Sequence, residues 1–410
     1  MKQLLLQPVD TFFFRNHKNF TPGENATATT IFPPRPGTIY GALRSAYIHC
    51  KSDFSTFAQG SDQDLKEWMG TPRKAGQFTL RGCLMHINNH TLLPLPLDYQ
   101  VVKTTNNNNP QNRSMDKPLV EPFQEIADEK AERAYPLILK NDNDPASDGR
   151  EYRLYGVSVD KSSSSAGALV GLDQWKQEIV NRTGLTIYRS SRFIEDEDKL
   201  GITRDWETKT AREGMVYQIK MSRFKTSEDS GESIRKIPES SGFLAVCNKT
   251  PAFSSVPYLR LGGKNRPWTL HELKEDFNLF TSSEEKEIIG QIEKSGIARL
   301  ILLSPAIWTE QSAYYLREEA RFRVNQELEF PILTEAIGRL TLVGGWDIAR
   351  NAPKPRMQAV PAGTVLYLQV AKEQARKLVM AVKDAVLSDE LGYEGYGWAV
   401  CGAGKLEEKI

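Results

Sequence analysis

The chain has 410 residues, 40% of them hydrophobic and 26% charged, with a formal net charge of +1. These values fit a globular protein with a sizeable core and, at this length, two domains with long insertions. They exclude a protein that coats nucleic acid by bulk positive charge, and they leave room for a local basic patch.

In chain order, Gln3 to Phe14 reads as a strand, with Leu4, Leu6 and Val9 apolar and an aromatic run at Phe12 to Phe14. A proline-rich loop ends at Pro36-Gly37. Thr38 then reads as an N-cap for a helix over Ile39 to Cys50, whose apolar positions recur at helical spacing. Gln77 to Pro94 reads as a hairpin turning at Asn88-Asn89-His90. The Asn-rich tract within Lys103 to Arg113, the stretch Asn141 to Arg150 and the serines 162–165 read as mobile insertions, too polar to offset the entropy of ordering. Further strands are expected over Met215 to Phe224, Gly242 to Cys247, Ala298 to Trp308, Gly338 to Val343, Gly363 to Val370 and Gly397 to Gly402. Helices are expected over Ser283 to Lys294 and Ala371 to Ser388. This order fits an α+β protein of two ferredoxin-like (RRM-like, βαββαβ) units, residues 1–214 and 215–410, divided near Gly214 and ending in a glycine-rich loop.

The four cysteines, Cys50, Cys83, Cys247 and Cys401, are dispersed, which argues against a zinc ribbon or a disulfide framework. No P-loop, H-E-x-x-H or G-x-S-x-G motif is present. The longest apolar stretch, Ala298 to Ile307, is too short to cross a bilayer, and Met1 to Asp10 lacks a secretory core, so a cytoplasmic protein is expected.

Four stretches invite contact with RNA. Gly392 to Trp398 combines three glycines with three aromatics: glycine amides approach phosphates and aromatic faces stack on unpaired bases, yet the same residues would equally make a turn with a filled core. Arg35-Pro36-Gly37-Thr38 leads into the first helix, whose amide end suits a phosphate, with Arg44 two turns further on. Arg44 is otherwise a surface arginine paired to a carboxylate. Basic residues and hydroxyls from Tyr188 to Arg192, then Arg204 and Arg212, suit a phosphate track, while Glu195 to Asp198 between them reads as a solvated turn. Leu261 to Arg266 is a further glycine-basic loop carrying Lys264.

Three groups of motifs resemble one known family. They are Pro8 to Arg15 with Phe32 to Arg44, Leu200 to Asp205 with Thr210 to Tyr217, and Val343 to Asp347 with Val360 to Val365 and Gly395 to Val400. In this order they resemble the third subunit of the type III-B (Cmr) CRISPR effector complex, in the RAMP superfamily. The resemblance implies two ferredoxin-like domains and a non-catalytic role at the 5′ tag of the guide RNA (crRNA). It also implies docking to the large polymerase-like subunit beside neighbouring RAMP subunits. No cofactor, metal or membrane is called for. The expected RNA-binding residues are Arg35, Thr38, Arg44, Arg204, Lys264, Gly395, Tyr396 and Gly397.

Two rivals stand beside this. A metal-independent guide-processing endoribonuclease would use His49 near the end of the first helix, or His17, with Tyr40 or Lys51 as a second group. A purely structural scaffold would use the same fold without RNA contact. A two-metal palm is disfavoured because Trp346 stands in Gly344-Gly345-Trp346-Asp347 where paired carboxylates are needed.

Overall fold

Strand β1, Lys2–Pro8, carries Leu4, Leu5 and Leu6 in succession, all buried. Successive strand residues face opposite sides, so an uninterrupted apolar run means that both faces are covered. The computed structural model describes residues 1–15, 27–28, 30–102, 132–141, 150–159, 162–225, 240–309, 320–347 and 350–407. In it Leu4 and Leu6 join one core with the first helix, and Leu5 joins another with a second sheet. β1 stops at Pro8, short of the expected Phe14. Phe12 instead enters an aromatic cluster, 5.3 Å from Trp268 and 5.4 Å from Phe224.

Helix α1, Pro36–Lys51, follows, and then β2, Thr79–Ile87, β3, Gly242–Lys249, and β4, Pro267–Glu272. They line up as β4-β1-β3-β2 with every neighbour antiparallel. Residues 88–241 intervene between β2 and β3 and extend the sheet beyond β2, and Tyr258–Arg260 adds an edge strand beside β4, for eleven strands in all. The lengthening begins with the expected hairpin: His90–Pro94 returns along β2 through Asn88 and Asn89, both at positive φ, the geometry a two-residue hairpin turn requires.

Three expectations in this region change. Ser162–Ser163 is a short strand paired with Val101 and Val102, not a loose insertion. The Asn-rich tract over 103–113 and the stretch 142–149 lie outside the described residues. The acidic block Glu195 to Asp198 is part of a strand, Ile194–Arg204, paired with Ala211–Phe224. Cross-strand bases make that possible: Arg223 meets Glu195 and Glu197, and Lys220 meets Asp196. Gly214 falls inside this hairpin, and β3 and β4 afterwards rejoin the first sheet, which therefore runs to Glu272.

The second sheet is built around β5, Ile297–Leu302, β6, Glu329–Ala336, β7, Val365–Gln369, and β8, Ala399–Ala403, with a short fifth strand, Arg321–Arg323, on the outer edge of β6. Its order is β8-β5-β7-β6, again antiparallel, with helix α2, Lys372–Asp384, between β7 and β8. α2 and a helix over Ser282–Ser295, started by a Thr281–Glu284 capping box, cover its outer face. Its inner face, including Ile301, Val365 and Val400, packs on Leu5, Leu84 and Leu244 of the first sheet. The result is a mixed fold of mostly antiparallel sheets with few helices. Among the described residues no helix is long and apolar enough to cross a membrane.

Candidate nucleic-acid interface

The start of α1 decides what its amide end can bind. Arg35 is the N-cap, in extended conformation, and Pro36 is the first helical residue, where its fixed φ suits the helix and its missing N–H is no loss. Thr38, expected as the cap, is instead the third helical residue, and its N–H donates to the Arg35 carbonyl at 2.9 Å. The Tyr396 ring packs against Gly37. The Glu394 carboxylate lies so close to Gly37 that a Cβ there would collide with it. Residues of the C-terminal loop thus take the place at the helix end expected for a phosphate, with the charge sign that the helix dipole favours.

Glu394 is buried and accepts from Lys354 Nζ at 3.1 Å. The rest of the loop faces inward. Gly395 and Gly397 sit at φ 96° and 79°, where a side chain would be strained. Their amides donate to the carbonyls of Gly392 and Pro305. Tyr396 is 2% exposed and Trp398 3%. Of the three aromatics in the motif only Tyr393, at 38%, keeps an open surface. Its ring meets Tyr40 edge-on at 5.4 Å, and Tyr40 in turn stacks on Phe78 at 5.1 Å.

Beside Tyr393 opens a cleft of about 680 Å³. Its walls are one flank of α1, residues 71–75, the short hairpin of Trp346–Asp347 with Ala352–Pro353, and Tyr393 with Glu394. Arg44, Arg73, Lys74, Arg350 and Lys354 line it against two carboxylates, Asp347 and Glu394, so the lining is positive although the chain is nearly neutral. Arg73 and Lys74 are exposed, and Trp346 is 55% exposed.

Arg44 does lie here, but its guanidinium donates to the carbonyls of Met69 at 2.9 Å and Thr71 at 2.7 Å and rests over the Phe57 ring. It holds the 71–75 wall against α1, with carbonyls rather than a carboxylate as partners. The Tyr40 hydroxyl, on the cleft lining, is buried and has no hydrogen-bond partner among the described residues. Burial pushes its pKa well above the ordinary tyrosine value, opposed by the nearby Arg44 charge.

Of the other candidates, Arg35 is partly buried beside Tyr396, and desolvation lowers its pKa. Arg204 ends the exposed 194–204 strand. Lys264 sits at φ 63° in a loop whose Gly263 amide donates to Phe13 at 2.7 Å. Neither Arg204 nor Lys264 lines the cleft. His49 does, while Lys51 lies over the Tyr47 ring and His17 is outside the described residues. Among the described residues no group of three or more His, Cys, Asp or Glu side chains is placed to hold a metal ion. Sequence reasoning passed over Arg73, Lys74 and Lys354, and within the Gly392 to Trp398 motif it nominated Tyr396 rather than Tyr393. The Pro72-Arg73-Lys74 turn carried a basic signature, but only folding sets it opposite the C-terminal loop.

A family model described as CRISPR-associated protein (Cas_Cmr3) matches residues 4–403. The chain belongs to this family. Membership in the Cas_Cmr3 family agrees with the resemblance carried by the three groups of motifs, which likewise span the chain. No curated protein matches the sequence. Similar solved chains occur in the cryo-EM structure of the Type III-B Cmr-beta bound to cognate target RNA and AMPPnP, and in that of the Type III-B Cmr-beta bound to cognate target RNA. The first is 16% identical, covering 96% of this chain and 93% of that one, with a TM-score of 0.48. The second is also 16% identical, covering 96% and 95%, with a TM-score of 0.47. A chain in the crystal structure of the Csm3-Csm4 subcomplex in the type III-A CRISPR-Cas interference complex is 12% identical, covering 90% and 97%, with a TM-score of 0.35. The assignment of this Cas_Cmr3 chain stands on the family match alone.

Proposed function

We propose that this Cas_Cmr3 family member is a non-catalytic, guide-RNA-binding subunit of a type III-B CRISPR effector complex. It acts in the cytoplasm, holds the 5′ tag of the crRNA, and docks to the large polymerase-like subunit beside neighbouring RAMP subunits. One observation carries the RNA reading: a single cleft joins the first helix to the C-terminal glycine-rich loop, with five basic side chains and exposed Trp346 and Tyr393 on its walls. Basic side chains for phosphates and open aromatic faces for unstacked bases are what single-stranded RNA recognition uses.

The strand order fourth-first-third-second in both sheets, each with a helix crossing between two of its strands, supports two ferredoxin-like units. The non-catalytic reading draws support from His49. It reaches the cleft without Lys51, and the Tyr40 hydroxyl is buried, so neither of the two groups expected to work beside it is at hand.

The test is co-purification of the tagged chain with the large subunit and a guide RNA, followed by sequencing of the RNA. Enrichment of intact guide with a common 5′ tag, lost in Arg73→Glu/Lys74→Glu, supports the reading. Protein partners recovered without RNA would make the chain a scaffold. Guide trimmed by the wild type and left intact by His49→Ala would make it a nuclease.

A further inference from the structure

The last strand of a sheet presents unpaired N–H and C=O groups, and natural folds blunt such edges with charge or proline. Two edges of this protein follow that rule. Tyr258–Arg260, beside β4, is preceded by Pro257 and carries exposed Arg260, and Arg321–Arg323, beside β6, carries two exposed arginines. A third does not. Thr341–Val343 pairs with Met357–Ala359 in a two-stranded ribbon, and its edge exposes leucines, Leu340 at 49% and Leu342 at 37%. Val343 and Ala359 face inward onto Tyr396, which holds the ribbon from one side only. Val360 uses both its backbone groups on Ala306 rather than on Leu340. Bonding sides alternate along an antiparallel ladder, so the bonded pairs are Thr341–Ala359 and Val343–Met357, and the N–H and C=O of Leu342 point outward. Among the described residues the backbone groups of Leu340 and Leu342 have no hydrogen-bond partner.

The surroundings of this edge are positive. Residues 338–359 hold Arg339, Arg350, Lys354 and Arg356 against one carboxylate, Asp347, and Arg339, next to Leu340, forms no ion pair among the described residues. Outward N–H and C=O groups match the backbone of an extended chain, while aliphatic side chains give a base nothing to stack on. A second copy of the same edge would set positive charge against positive charge. Resting on the reading of the chain as a subunit of a larger complex, we infer that Thr341–Val343 is a docking edge at which a partner protein adds a strand. The partner segment is extended, places alternate apolar residues over Leu340 and Leu342, and carries a carboxylate that meets Arg339.

The experiment compares the free full-length chain with the complex recovered from co-expression with the large subunit, neighbouring RAMP subunits and a guide RNA. Amide hydrogen exchange is read at Leu342 in both, and in the complex again after RNase treatment. The Leu342 amide exchanges about tenfold or more slowly in the complex, with or without RNase. Two variants separate backbone from side chain. Leu342→Pro deletes the outward N–H and leaves the ribbon's own bonds in place, as proline at a sheet edge allows. Leu340→Glu/Leu342→Glu keeps the backbone and removes the apolar contact. Each lowers recovery of one protein subunit about tenfold, with the circular dichroism of the free chain unchanged.

Equal exchange at Leu342 in the free chain and the complex overturns the inference, as does full recovery of every subunit with both variants. Should the variants not fold, the wild-type exchange decides alone. Protection already present in the free chain, together with a dimer in sedimentation, would make a second copy the occupant and also overturn it. Protection lost with the RNA while the protein subunits stay bound would make the occupant RNA, with the same consequence. Protein subunits recovered with the edge unprotected sink the docking edge and leave the complex reading intact. Wild-type chain recovered without any protein subunit sinks both.

Discussion

At the scale of single residues, the most consequential group outside the cleft is Asp98. It is wholly buried where the two sheets meet, accepting from Arg299 Nε and Nη2 at 2.7 and 2.8 Å, from Arg182 at 2.7 Å and from the Tyr367 hydroxyl at 2.7 Å. Burial works against its charge, but the two arginines outweigh it and hold its pKa well below the usual carboxylate range. Removing one partner of a buried pair strands the other, so Asp98→Asn should cost about 3–5 kcal/mol in urea unfolding. The sign of the pH effect follows from a folded pKa below the unfolded one. The stabilisation is fully present above the unfolded value of about 3.9 and is lost as pH falls from there toward the folded value. Wild type and Asp98→Asn should therefore converge in stability on acidification, and a gap that stayed constant would remove Asp98 from this role.

At the scale of elements, arginines act as fasteners between segments distant in sequence. Arg81 of β2 donates to the carbonyls of Val382, Lys383 and Ala385, which closes the C-terminal end of α2. Arg44 does the same for the wall opposite the C-terminal loop. Arg44→Ala should free residues 70–76 from α1, which limited proteolysis would report as new cleavage there, and should lower RNA affinity indirectly. Glutamine is neutral and keeps one N–H donor near the Nε position, so Arg44→Gln should fall between wild type and alanine. Equal RNA affinity in all three would mean that the wall plays no part in binding. These fasteners were not legible beforehand. An arginine's sequence neighbours reveal a helix face, but not which carbonyls thirty or three hundred residues away will face it.

At the scale of the whole molecule, β1 lies between β3 and β4, so the first strand of the chain depends on residues 242–272 for both neighbours. A fragment of residues 1–214 should be insoluble or unfolded by circular dichroism, because Leu4, Leu5 and Leu6 would lose their sheet. A chain split between 272 and 282, with both parts co-expressed, should reassociate through the buried Asp98–Arg299 interface. Folding of 1–214 alone would support the division near Gly214. The near-zero net charge bears on binding at the same scale: with little long-range attraction, salt dependence reports local contacts only. Arg73→Glu/Lys74→Glu should reduce the slope of log affinity against log salt by about 1.4, at about 0.7 per phosphate contact to a single strand.

What the sequence by itself determined is what depends on neighbouring residues. The helical periodicity of Ile39 to Cys50, the helix over Ser283 to Lys294, the turn at Asn88-Asn89-His90 and the motif order that marks the family were all readable, because each is set within a few residues or by the order of short segments. Thr38 misled because proline at the first helical position competes with a hydroxyl as the mark of a start, and here the proline prevailed. The acidic strand misled because its compensating bases, Lys220 and Arg223, arrive from the partner strand. Tertiary structure alone decided that Gly395, Tyr396 and Gly397 turn inward while Tyr393 stays open, and that Arg44 is spent on carbonyls while Arg73 and Lys74 face the cleft. Exposure and hydrogen-bond partners at these positions are properties of surfaces meeting across hundreds of residues, and no local pattern encodes them.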